Sequence, residues 1–386
     1  MIGVIDVTDW QTTVDLRTGR GTVADGPLVR IARKVQADHH YPGDRKPESV
    51  SWVTDTALDL CRRSTPGLMV LSYAYPYLTR LFTAPSPTEW QDIVEKTLCA
   101  VDRFTEASGM TPVIVGTGDM VPVQERIDLS GLACLTATGG AAPRYAGLYN
   151  PSKDDLESLA DHPGVRGLIK REDAFKADLF CAGAQRRFPD YLVAARPGYL
   201  FRGFGGVPRP LVHLPACNES VPLVSDIGRA EEITGIRGMI EEHLAEGERI
   251  ALIIVEGVGF ADLDRPAYAC RNTWRWHTYS PGEGQYAAIL AGQHLPEQPY
   301  PPGFRYYPED GEGREYPFAG PYGVMPEDTL GTAYAGRSAA VGSRSTMTHV
   351  YAGTDIAIEC FARNLYNYGT MAAVRSSKNE LWSGIR

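Results

Sequence analysis

Histidine is scarce in this chain, eight among 386 residues, so a His-rich metal centre has little to draw on. Lysine is scarcer still, seven against 31 arginines; the skew fits a GC-rich coding sequence as readily as an anion site. No run of like charge breaks the balance of 38 basic and 47 acidic residues, net charge -9. Nothing in that pattern neutralises a phosphate backbone, which excludes nucleic acid as the main partner. The seven cysteines, Cys61, Cys99, Cys134, Cys181, Cys217, Cys270 and Cys360, form no CxxC pair and no zinc spacing, and this predicts a reduced, cytoplasmic setting. The opening Met1-Ile2-Gly3-Val4-Ile5-Asp6 has no basic leader, and no apolar run approaches the roughly 20 residues that cross a bilayer. A soluble protein without a membrane partner is expected. Neither GxGxxG nor GxxxxGK followed by Ser or Thr occurs between a strand and a helix, so phosphate cradles of those kinds are missing.

What the chain does have is an ordinary globular composition, 43% apolar and 22% charged, enough for a sizeable core. Its length allows one large α/β domain or two. Short apolar bursts read as buried strands at residues 2–7, 67–74, 111–115, 133–138, 145–149, 165–170 and 249–255, with further segments at 211–214, 221–224 and 347–353. Helical spacing covers 50–63, 88–107, 152–160 and 230–245, and another helix follows Ser280. The alternation predicts a mainly parallel sheet with helices on both faces. Residues 295–326, crowded with Pro, Gly, Tyr and acidic side chains, are too long for an ordinary connection and read as a lid or binding loop.

In such a sheet ligands sit at the carboxyl ends of the strands, which directs attention to Asp6, Tyr73 to Tyr77, Thr117 to Asp119, and Glu256. Glu256 follows the most apolar strand, where a carboxylate can hold a divalent cation. Thr278 and Ser280 precede a helix whose N-terminus favours an incoming anion, a layout for a Ser or Thr nucleophile. Ser280 with Pro281 and Glu283 is equally a capping box. His349, beside hydroxyls and Asp355, is a metal ligand, a general base or a structural histidine. Asp119 lies between glycines as a ligand, a base or a turn residue. Asp38-His39-His40 is a surface loop or a weak metal group. Tyr73, Tyr75 and Tyr77 share one side if extended geometry continues through Pro76, and then line a pocket.

The order of segments resembles the alkaline phosphatase superfamily, in its type I phosphodiesterase and nucleotide pyrophosphatase branch. The likeness rests on Gly67 to Tyr73, the helix with Trp90 and Asp102, Thr111 to Val115, Ile127 to Leu129 and Tyr145 to Glu172. Ile250 to Gly292 is similar to that family's opening strand and nucleophile helix, and His349 to Tyr366 to its closing metal-binding strand. Together these cover about half the chain, in an order that implies circular permutation or partial duplication. The resemblance implies an alkaline-phosphatase-like core with degenerate metal ligands. Glu256 or Asp6 stands for the family's first Asp, the tyrosines replace its second ligand pair, and Thr117-Gly118-Asp119 lacks its His.

The expectation is therefore a single composite α/β domain over residues 1–386, with halves near 1–205 and 206–386. Its expected activity is that of a hydrolase or transferase, phosphodiesterase-like, on a small phosphorylated or otherwise anionic metabolite. Ser280 or Thr278 is the nucleophile. Glu256, Asp119, His349 and Asp6 are the metal-ligand candidates, for one divalent ion (Zn, Mn or Mg) or none. Arg271, Arg275 and Arg344 are the candidates for binding the anion. The alternative is a metal-free relative that binds a small molecule or a partner, with the tyrosines and 295–326 as its pocket. Oligomeric state is not legible.

Overall fold

The run Ile250–Val255 is buried at every residue, as a strand flanked on both sides and covered on both faces requires. The computed structural model describes residues 34–35, 37–43, 45–139, 144–174, 189–202, 210–281 and 283–294, and strand backbones at 2–4, 13–14, 21–22, 338–342, 347–351, 356–361, 372–375 and 383–384. Asp6, Arg344 and all of 295–326 lie outside them, as does the side chain of His349. The chain forms two compact units interleaved in sequence, one from Met1–Thr13, Val23–Pro122 and Pro210–Leu295, the other from Val14–Thr22, Val123–Arg209 and Pro296–Arg386.

The first unit is built on a six-stranded sheet. In chain order its strands are β1 (Ile2–Val4), β2 (Leu68–Tyr73), β3 (Thr111–Gly116), β4 (Ser220–Ser225), β5 (Ile250–Val255) and β6 (Tyr268–Arg271). They lie in the spatial order β1-β2-β5-β3-β4-β6. The first four in that order are parallel; β4 then runs antiparallel to β3, and β6 antiparallel to β4. The sheet is thus mixed, which corrects the expectation of a mainly parallel one: apolar content marks a buried strand without giving its direction.

Helices α1 (Glu48–Ser64), α2 (Tyr75–Phe82), α3 (Pro87–Ser108), α4 (Gly235–Ala245) and α5 (Glu283–Ala291) belong to this unit. Helix α3 starts where Ser86 and Glu89 form a reciprocal capping box with Pro87 at the first turn, and it stops at Gly109 in left-handed conformation. Its Trp90, Val94, Leu98, Val101 and Phe104 pack with Ala57 and Leu60 of α1 on Met69, Leu71, Ala251 and Ile253 of the sheet. Alternate residues of β5 point the other way, and α4 also contacts this strand. Helix α4 starts at Gly235, later than the apolar pattern from Ala230 suggests. The preceding backbone is diverted to the sheet edge, where Arg271 N–H donates to Glu231 O and Ile233 N–H to Arg271 O.

The second unit carries a nine-stranded mixed sheet. From one edge it runs Val165–Lys170, Tyr191–Ala195, Tyr145–Tyr149, Leu135–Gly139 and Met347–Tyr351, then Ser338–Gly342, Ile356–Phe361, Ala372–Arg375 and Ser383–Gly384. Ile127, Leu148, Leu159, Val193 and Phe201 form part of its core. Asp155 ties the helix Lys153–Ala160 to this core. Its carboxylate accepts from Ala133 N–H at 2.8 Å and from Ser152 N–H at 2.9 Å, and Ser152 caps in return. Burial pushes the Asp155 carboxyl up, but these donors outweigh it and hold it below the usual carboxylate range. Asp155→Ala should therefore cost about 1–3 kcal/mol at neutral pH. Because the folded value is depressed, this contribution is complete above the ordinary carboxylate pKa and is lost as pH falls through the folded value. Denaturant titrations of both proteins from neutral to acidic pH should show the difference shrinking; a constant difference would contradict the assignment.

Candidate functional site

Strands β2, β5 and β3 end in register, Tyr73 opposite Val255 and Val255 opposite Gly116, so their loops emerge side by side. The loops are stitched together: Glu256 N–H donates to Tyr73 O at 3.1 Å, Gly118 N–H to Val258 O at 3.1 Å, and Gly257 N–H to the Thr117 hydroxyl at 2.7 Å. Gly257 has φ +74°, and a Cβ there would stand 2.8 Å from the Tyr77 Cα. Only glycine lets α2 settle this close to the strand ends.

Glu256 is 6% exposed. Its Oε1 accepts from the Ser72 hydroxyl at 2.7 Å and from the Tyr286 hydroxyl on α5, and the two hydroxyl oxygens lie 2.9 Å apart. Burial, reinforced by the charge of Glu256, pushes the Tyr286 phenol well above its ordinary value, and the same two causes raise Tyr77. Both phenols stay protonated, and Tyr286 donates to the carboxylate. A hydroxyl held on a buried carboxylate is the elementary form of an activated nucleophile with its base.

A second group adjoins the first through the same loop. Asp119 and Asn218 pair reciprocally, Asn218 Nδ2 donating to Oδ2 at 2.9 Å and Asp119 N–H to Asn218 Oδ1 at 2.8 Å. Asp262 accepts from Trp90 Nε1 at 2.6 Å and from Gly259 N–H at 3.0 Å. The Arg80 guanidinium lies 3.8 Å over the Trp90 ring. Among the described residues no hydrogen bond or ion pair engages its nitrogens, although Asp262 and Asp119 act on it electrostatically. Burial draws Arg80 below its ordinary value while the two aspartates pull the other way. A groove of about 670 Å³ adjoins this group, lined in part by Trp90, Val94, Leu98, Asp102, Asp262 and Arg265, within the size range of small-molecule sites.

Of the residues expected from sequence, Glu256, Asp119 and Tyr77 are at these strand ends. Tyr73, Tyr75 and Tyr77 do not alternate on one side as expected. Pro76 sits in the first turn of α2 and starts a helix instead of prolonging the strand. Tyr73 turns into the core and hydrogen-bonds Thr54 at 2.8 Å, and Tyr75 packs on the core cluster. Thr278 is buried in a short ribbon with Thr273, and Ser280 is half-buried two residues on. Arg271 is held by Glu232 on the edge strand, and Arg275 lies over the Trp274 ring in the ribbon's turn, with φ +52°. Asp38 pairs with Arg63 at 2.8 Å and His39 with Asp59 at 3.3 Å, so these two neighbours are directed to different partners.

Glu256 and Asp119 each have hydrogen-bond donors of their own. His349 lies in the sheet of the second unit, its backbone opposite Ala340 and Thr138. Among the described residues, three metal-type ligand atoms lie within 4.8 Å of one another only in His243, Glu246 and Glu248, at the end of α4. There His243 Nε2 already meets Ile227 O at 2.9 Å, and Nδ1 faces Glu248 at 3.2 Å, an ion pair suited to a helix C-terminus.

Ser72, Tyr286, Arg80 and Asn218 escape the sequence reading. The one available signal was a hydroxyl, Ser72, near the end of the otherwise apolar stretch Leu68–Leu71. Compared with protein-family models and with curated proteins, the chain matches none.

Proposed function

We propose that the protein is a hydrolase or transferase acting on a small phosphorylated or otherwise anionic metabolite at the carboxyl ends of β2, β5 and β3. The observation that carries this reading is the Ser72 hydroxyl on the buried Glu256 carboxylate; among the described residues Arg80 has no counter-ion within bonding reach. Ser72 Oγ attacks the substrate's phosphorus as Glu256 takes the hydroxyl proton. The bond from phosphorus to the leaving oxygen breaks, and that oxygen departs with the proton from Glu256. Water or an acceptor hydroxyl then displaces Ser72 from phosphorus, and Arg80 binds an anionic oxygen throughout. Tyr286 holds the carboxylate in place. No step runs through a metal, since Glu256 and Asp119 are aimed at separate donors. The link with the alkaline phosphatase superfamily rests on the sequence resemblance alone, and the proposal moves the nucleophile from Ser280 to Ser72.

A fluorophosphonate probe tests this directly. Attack by Ser72 Oγ on phosphorus expels fluoride and leaves a stable adduct, found by peptide mass spectrometry. Labelling at Ser72 that is lost in Ser72→Ala, and that falls by about 10²-fold or more in rate in Glu256→Gln, is the expected result. Labelling at Ser280 or Thr278 with Ser72 untouched would return the nucleophile to the helix start and defeat the assignment. Absence of labelling, together with saturable binding of phosphorylated compounds, would support the binding-protein reading instead.

A further inference from the structure

Arg144, in the second unit, is 5% exposed, and all three of its guanidinium nitrogens are buried without a hydrogen-bond partner among the described residues. Its backbone is not loose: the Arg144 carbonyl accepts from Ala195 N–H at 2.8 Å, extending the ladder in which Tyr145 faces Ala194. Among the described residues the guanidinium meets the Tyr145 ring, 5.2 Å from Cζ to the centroid. A guanidinium carries its charge permanently and offers five N–H donors in a planar fork. A single ring contact is much weaker than the penalty for burying such a group unpaired. Buried cations persist where an anion completes them. We propose that Arg144 anchors an oxyanion site in the second unit, taking the carboxylate or phosphate of a small ligand through two parallel N–H bonds. The site is separate from the strand-end group of the first unit and does not depend on its chemistry. Net charge -9 repels anions from the molecule as a whole, so occupancy rests on the local fork.

The test is thermal unfolding of the full chain in the Arg80→Leu background, which removes the arginine assigned to anion binding in the first unit. Inorganic phosphate or acetate, each at about 20 mM with ionic strength held by chloride, should raise the midpoint by about 3 °C or more. Arg144→Met should abolish that rise and have a higher midpoint than its parent without anion, because an unpaired buried charge is gone. A response to phosphate alone assigns a phosphorylated ligand; a response to acetate alone assigns a carboxylate. An equal rise with and without Arg144, or no rise with either anion, overturns the proposal. If Arg144→Met does not fold, calorimetric titration of the wild-type chain and of Arg80→Leu with phosphate decides. Saturable heat common to both supports the site, and its absence from Arg80→Leu refutes it.

Discussion

Replacing Gly116 with alanine should destabilise the first unit by about 3 kcal/mol or more, the upper range for overpacking a core. An added Cβ would stand 2.6 Å from the Val258 carbonyl oxygen and 2.7 Å from Pro222 Cγ. Neither neighbour is free to retreat. Val258 O is the acceptor for Gly118 N–H, and Pro222 is a member of β4, in register with Ala269. Relief would have to come from moving β3 against β5, where Gly116 is opposite Val255. That shift also disturbs the loops holding Glu256 and Thr117. Urea unfolding followed by tryptophan fluorescence is the measurement, since Trp52 and Trp90 report on this core. A loss below about 1 kcal/mol would mean that the strand end adjusts far more easily than its hydrogen bonds imply.

The parts of this fold legible in the sequence are those that local chemistry decides. Arg249-Ile-Ala-Leu-Ile-Ile-Val reads as a buried strand because nothing polar interrupts it. Residues 88–107 read as a helix because Trp90, Ile93, Val94, Leu98, Val101 and Phe104 fall at helical spacing after Pro87. Strand direction is another matter. The Val221 to Val224 segment looks the same whether it runs with or against β3, and its antiparallel course follows from how the chain returns to the sheet. Pro76 illustrates a local ambiguity: after a strand it suggests continued extension, yet its fixed φ also suits a first helical turn.

The candidate site was half legible for a related reason. Glu256 and Asp119 stand out as carboxylates just beyond apolar strands. Their partners do not, because Ser72 reaches Glu256 across 184 residues and Asn218 reaches Asp119 across 99. Those pairings depend on strand order and register, which no local window contains. Arg80 is one of 31 arginines; its position over Trp90 beside Asp262 and Asp119 depends on the fold and not on its sequence neighbours. Arg271 likewise looks available in sequence, and its pairing with Glu232 depends on how residues 231–233 run along the edge strand.

Gly259→Ala should leave the first unit folded while disabling Asp119. At φ -105° the backbone of Gly259 suits any residue, so the conflict is purely one of space. The new Cβ would fall 1.7 Å from Asp119 Oδ1 and 2.4 Å from its Cγ. The Asp119 backbone is held at both ends, its N–H on Asn218 and its carbonyl on Ala216 N–H at 2.8 Å. Only rotation of the side chain is left, and this breaks the bond from Asn218 Nδ2 and carries a negative charge away from Arg80. We expect a stability loss of about 1–2 kcal/mol, smaller than at Gly116 because the obstructing atoms end a side chain. We also expect the rate of substrate turnover or probe labelling at Ser72 to fall by about tenfold or more through the altered field at Arg80. A double-mutant cycle isolates the cause. Asp119→Ala alone also costs stability, by leaving Asn218 without its acceptor, but in the Gly259→Ala background it removes the clash. The double variant should then be more stable than the sum of the two losses predicts, by about 1 kcal/mol or more. Additive losses would show that Gly259 and Asp119 do not share this space, and the close packing of the strand-end loops would have to be redrawn.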